Sequence, residues 1–115
     1  MTNLEDLTAR AIAFRDERNW KQFHNAKDAA LSLVLEAAEL LELFQWKNGA
    51  EIDQVVRTHH SALSDELADV LYWVLLLAND SGVDLRRAFE DKLAKNETKY
   101  PTEKARNRKE KYSQL

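Results

Sequence analysis

The sequence predicts an all-α protein with a four-helix bundle-like fold, on three observations. Only two glycines and one proline occur in 115 residues, too little punctuation for the many turns of a β fold. Apolar residues recur at helical spacing in several long segments. Two of these, near 31–46 and 62–79, are apolar on nearly every side, as covered helices are.

Taken in order, the first helix spans about Leu4 to Arg18, with Leu4, Leu7, Ala11 and Phe14 on one stripe. A loop rich in aromatic and polar residues, "NWKQFHNAKD", follows. The second helix runs from near Lys27 or Asp28 to Trp46, and Gly49 suits the place just past its end. Ala50 to Ser61 reads either as a short helix or as an irregular link. The next long helix covers about Ala62 to Asn79 and stops at Gly82. Asp84 then caps a helix that reaches about Lys99, because Pro101 disfavours helical geometry at Tyr100. The whole chain, 1–115, reads as a single domain, with about 101–115 a polar, basic tail whose plainest state is disorder.

Composition narrows the function. A hydrophobic fraction of 44 % beside 32 % charged residues suits a soluble protein with a core. The second and third long helices carry more apolar surface than four helices of this size can cover, so a homodimer is expected. The absence of cysteine excludes disulfides and thiolate metal sites. The net charge of −3 weighs against a nucleic-acid binder. The polar start "MTNLEDLTAR" shows no leader, and the longest apolar run, Val70 to Ala78, is too short for a bilayer. No membrane role is expected, and the cytoplasm is the expected setting.

Against this apolar background the acids stand out. Glu36 and Glu39 are three residues apart on the second helix, and Glu66 and Asp69 repeat the spacing on the third. If those helices pack together, four carboxylates converge. Two like charges about 4 Å apart repel by ~4 kcal/mol at an effective dielectric of about 20. Either some acids hold protons or a cation sits among them. An all-oxygen set suits Mg²⁺, with Mn²⁺ as the alternative, and Mg²⁺ commonly leaves positions for substrate phosphates. The plainer reading is two solvated acidic pairs. A di-iron bundle needs Glu-x-x-His pairs, and none occurs here.

Aromatic residues and cations accompany the acids. Trp46 lies seven residues after Glu39 and Trp73 four after Asp69, while Trp20 and His24 come from the loop before the second helix. Each tryptophan alone reads most simply as core. Together they would stack on a nucleobase. Lys92, Asn96 and Lys99 share a helical face, either solvated or reaching phosphate and sugar; in the tail, Arg106 and Lys111 offer the same choice. With no P-loop or Rossmann fingerprint, a nucleoside triphosphate would be held by helices and metal alone.

Six segments then match a known pattern in order: "FRDERNWKQFH", "LVLEAAELLELFQWK", "DELADVLYWVLLLA", "VDLRRAF", "NETKYP" and "KYSQL". In these the chain resembles the all-α, MazG-related nucleotide pyrophosphohydrolases, most closely the dCTP pyrophosphatase branch. The resemblance covers most of the chain. It implies a MazG-type fold assembled as a dimer or a dimer of dimers, in which active sites can borrow residues from neighbours. It also implies Mg²⁺-dependent hydrolysis of a nucleoside triphosphate, dCTP or a modified dCTP, to monophosphate and pyrophosphate. By likeness Glu36, Glu39, Glu66 and Asp69 are the metal ligands and catalytic acids. Trp20, His24, Trp46 and Trp73 line the base pocket, and Lys92 and Asn96 reach phosphate or sugar. One of the carboxylates, Glu39 or Glu66, takes the proton of the attacking water. That branch often has tyrosine where this chain has Trp73, a bulkier ring that bears on the base preference. The competing readings are a non-catalytic nucleotide-binding or helical interaction module, and a purely structural helical dimer whose acids are solvated pairs.

Overall fold

The computed structural model describes residues 2–114, and among these there are helices and turns but no strand. Leu115, the last residue of the "KYSQL" segment, lies outside the described residues. The chain divides into two units, 1–82 and 83–115.

The first unit holds α1 (Leu4–Glu17), a 3-10 turn (Lys21–Phe23), α2 (Ala26–Glu42), α3 (Ala50–Thr58) and α4 (His60–Asp80). Helix starts follow their caps. The Asp6 N–H donates to Asn3 Oδ1 at 2.8 Å while the Asn3 N–H reaches back to Asp6, closing a reciprocal box at α1. The Asp28 N–H donates to Asn25 Oδ1 at 2.8 Å at the head of α2. At the end of α4, Gly82 takes φ +70°, a left-handed position that its missing Cβ tolerates, as expected of a stop.

The main packing of α1, α2 and α3 is in each case against α4. The core is small: Ala11, Ala29 and Val55 are buried, as are Leu75, Leu76 and Ala78 of α4. Arg15 of α1 is buried with them and grips Asp80 at the end of α4, with Nη1 2.6 Å from Oδ2. Large apolar side chains stay exposed on α2 (Leu31, Val34, Leu35, Leu41) and α4 (Leu67, Leu71). No described helix is long and apolar enough to cross a membrane.

Two boundaries differ from the sequence reading. Helix α2 ends at Glu42 rather than Trp46. Beyond it the Leu43 and Phe44 N–H groups donate to Leu40 and Leu41 carbonyls, a tightening that satisfies the last carbonyls locally. Trp46 itself takes φ +69°, which reverses the chain. Gly49 therefore does not close α2; it opens α3, at φ +54°. The ambiguous stretch after it is helical, and His59 alone separates α3 from α4, so α4 begins at His60 rather than Ala62. The described residues hold six helices where four were expected.

The second unit holds α5 (Leu85–Lys99), α6 (Thr102–Ala105) and a 3-10 turn (Tyr112–Gln114). The Arg87 N–H donates to Asp84 Oδ1 at 3.2 Å, the expected cap. The described part of the basic tail, 101–114, thus carries regular structure rather than the expected disorder. Tyr112 meets Tyr100 edge-on at 6.1 Å, and the Lys99 ammonium lies 5.1 Å from the Tyr112 ring centre.

Candidate functional site

Helical spacing puts Glu36 and Glu39 on one face of α2 and Glu66 on α4, and the packing of these two helices does the rest. One carboxylate oxygen from each of the three lies within 4.8 Å of the others. Glu36 and Glu66 are half-buried and Glu39 is exposed. Asp69, one turn beyond Glu66, lies outside this group of three, though its charge acts on both Glu36 and Glu66.

The electrostatics are those of an uncompensated cluster. Burial raises the Glu36 carboxyl above the usual carboxylate range, and the Glu39 charge and a hydrogen bond with Glu39 add to it. Burial likewise raises Glu66, followed by the same two effects of Glu39 and the charges of Asp69 and Asp65. Oε2 of Glu36 and Oε2 of Glu66 are both buried with no hydrogen-bond partner. Unpaired buried carboxylate oxygens are costly, and several of them facing one point suit a cation. The donors are all oxygen, with no cysteine in the chain and no histidine in the cluster. A hard divalent ion such as Mg²⁺ or Mn²⁺ fits that set.

Trp73 stands one turn past Asp69 on α4, so the aromatic residues begin where the acids end. His24, just before α2, meets Trp73 with ring centres 5.1 Å apart. The His24 Nδ1 is buried and unpartnered. Trp20 joins the same group through other rings. It contacts Phe14 at 5.8 Å, Phe14 contacts Tyr72 at 6.0 Å, and Tyr72 contacts Trp73 at 5.4 Å. Sequence reasoning placed Phe14 in the core stripe and did not single out Tyr72. Its one signal was adjacency to Trp73 in "LYWV".

Trp46 stands apart from this arrangement. With α2 ending at Glu42, it does not continue the helical line of Glu39, and the residue is 87 % exposed. Lys92 and Asn96 lie on α5 in the second unit, Lys92 exposed and Asn96 half-buried.

Comparison with known proteins places the chain in a family. The family model described as MazG-like matches residues 31–115, a span that includes all four acids. The chain is 40 % identical to dCTP pyrophosphatase 1 of Rattus norvegicus over 114 residues, covering 97 % of this chain and 67 % of the relative. The Homo sapiens protein of the same name gives the same identity and coverage. A crystal structure of a pyrophosphatase from Archaeoglobus fulgidus superposes with a TM-score of 0.83 at 36 % identity, covering 88 % of this chain and 94 % of that one. A family model over more than half the sequence, relatives of this identity and a shared fold together show that the chain belongs to the MazG-like family.

Proposed function

We propose that this protein hydrolyses dCTP or a modified dCTP to the nucleoside monophosphate and pyrophosphate, with Mg²⁺ held by Glu36, Glu39, Glu66 and Asp69. That it is a nucleoside triphosphate pyrophosphohydrolase of the dCTP pyrophosphatase-like type follows from its family and its relatives. The observation that carries the finer reading is the pair of orphaned, buried glutamate oxygens on α2 and α4, with Trp73, two helical turns along α4 from Glu66, in ring contact with His24.

Bound among these acids, a divalent ion supplies positive charge opposite phosphate oxygens and acidifies water. The remaining work falls to the chain. Glu36 and Glu66, half-buried, have oxygens fixed by their helices and suit ligation. Glu39 is exposed and suits taking the proton of the water that attacks the α-phosphorus. The bond from that phosphorus to the bridging oxygen breaks, and pyrophosphate departs. Trp73 and Trp20 offer faces on which a base stacks, and stacking alone tolerates any base. His24 Nδ1, buried and unpaired, is the polar atom best able to impose a choice, because a site built for a hydrogen bond rejects a base that lacks it. Trp46 completes the pocket, and Lys92 and Asn96 contact phosphate and sugar; these three roles rest on resemblance alone. The exposed leucines and valines of α2 and α4 support assembly with further copies, as a dimer or tetramer. The reaction is assigned to the cytoplasm.

The test is a panel of canonical and modified deoxynucleoside triphosphates, with and without Mg²⁺, read as pyrophosphate released. Mg²⁺-dependent pyrophosphate with monophosphate, fastest for a cytosine nucleotide, is the expected result. Inorganic phosphate instead would place the attack elsewhere. Nucleotide binding with no product under any metal would make the protein a binding module.

A further inference from the structure

We propose that Tyr72 is a positioning residue for the base: its ring, wedged between Phe14 and Trp73, sets the angle at which the Trp73 indole faces His24. The inference rests on the reading that Trp73 and His24 hold the base.

Consecutive side chains on a helix diverge, so contact between the rings of Tyr72 and Trp73 is not forced by their adjacency on α4. Yet their centres are 5.4 Å apart at an interplanar angle of 79°. On its far side Tyr72 meets Phe14 at 6.0 Å and 88°. Edge-to-face contacts depend on angle, as aliphatic packing does not, so two of them on one ring fix its plane. Phe14 is held in turn. The Arg18 guanidinium carbon lies 3.8 Å from its ring centre, and Trp20 packs on it at 5.8 Å. The neighbouring Arg15 ties α1 to the end of α4 through Asp80. The row of rings is thus braced from α1, and its free end is the Trp73–His24 pair.

The hydroxyl oxygen of Tyr72 is buried and makes no hydrogen bond. The contacts the structure gives Tyr72 are those of its ring, to Phe14 on one side and Trp73 on the other.

The experiment compares Tyr72→Leu, Tyr72→Phe, Phe14→Leu and Trp73→Ala in the full chain with dCTP and Mg²⁺. Fluorine NMR of 5-fluorotryptophan-labelled protein follows the indoles, the Trp73 signal being the one lost in Trp73→Ala. Tyr72→Leu is expected to raise KM about tenfold with kcat within about threefold, the mark of lost binding geometry. It should shift the Trp73 signal and leave that of exposed Trp46 in place. Tyr72→Phe should restore both KM and the signal. If Tyr72→Leu does not fold, Phe14→Leu, acting from the other side of the ring, must give the same pattern. An unchanged KM and an unmoved Trp73 signal in the folded leucine variant would overturn the proposal, as would a phenylalanine variant as impaired as the leucine one. If Trp73→Ala leaves KM unchanged, the assignment of Trp73 to the base falls and takes the proposal with it. If Trp73→Ala raises KM while Tyr72→Leu does not, the proposal alone fails.

Discussion

Removing the Asp80 carboxylate should destabilise the first unit measurably, because it strips a buried guanidinium of its main partner. The Arg15 side chain is 1 % exposed, and its Nη1 and Nη2 lie 2.6 and 3.3 Å from the two oxygens of Asp80. Opposite unit charges about 4 Å apart attract by ~4 kcal/mol at an effective dielectric of about 20. Breaking a buried pair from one side costs about 3–5 kcal/mol, because the remaining charge is left without compensation. Two facts lower the figure here. Asp80 keeps 27 % exposure, and Asp16 remains 3.6 Å from Arg15 Nε. Asp80→Ala should therefore cost about 2–3 kcal/mol, and Asp80→Asn, which keeps an acceptor, about 1–2 kcal/mol. Urea unfolding followed by circular dichroism at one fixed protomer concentration measures both. The pH dependence gives a second reading. The hydrogen bond from Arg15, ahead of the other influences, holds Asp80 below the usual carboxylate range. Its contribution is thus present above the unfolded pKa and lost as pH falls through the lower folded value. The parent should lose stability relative to Asp80→Asn across that acid window. A variant within about 0.5 kcal/mol of the parent at pH 7, or parallel acid curves, would refute the account.

Other expectations follow from the same structure. Glu36→Gln should raise the melting temperature of metal-free protein by relieving repulsion, remove the further rise caused by Mg²⁺, and cut pyrophosphate release at least about a hundredfold, as thermal shift and product assays would show. Trp46→Gly should leave stability equal or raise it by up to about 1 kcal/mol, since Trp46 sits at φ +69° with 87 % of its surface exposed, while raising KM if the indole meets the base. Leu35→Glu, in the exposed apolar face of α2, should shift the mass seen by light scattering toward monomer without loss of helix content.

How much of this was legible in the sequence depended on whether side-chain pattern or backbone geometry decided each point. The caps Asp84 and Gly82 announced their helix boundaries, and α1, α4 and α5 follow their apolar spacing closely. The end of α2 was not readable in that way. Leu40, Leu41, Leu43 and Phe44 carry the apolar period onward, while the left-handed turn at Trp46 stops it, and tryptophan does not advertise that conformation. The helix α3 was ambiguous because Ala50–Thr58 is short: Ile52, Val55 and Val56 sit at helical spacing, but over too few turns to establish a period. The acids were legible from spacing alone as two pairs. Which of them meet depends on how α2 and α4 are offset, and the structure groups Glu36 and Glu39 with Glu66 and leaves Asp69 at the margin. The bridge from Phe14 through Tyr72 to Trp73 joins distant parts of the chain and has no sequence period to betray it.

The central place of α4 also sets a schedule for synthesis. Each earlier helix of the first unit finds its principal partner in α4, the last of them to leave the ribosome. Until the start of α4 has emerged, α2 presents Glu36 and Glu39 without Glu66 opposite them, and until the segment near Asp80 follows, α1 lacks the carboxylate for Arg15. The nascent chain can hold local helix but no assembled core before that point, so the cluster of acids and the fold that supports it arise in the same late step.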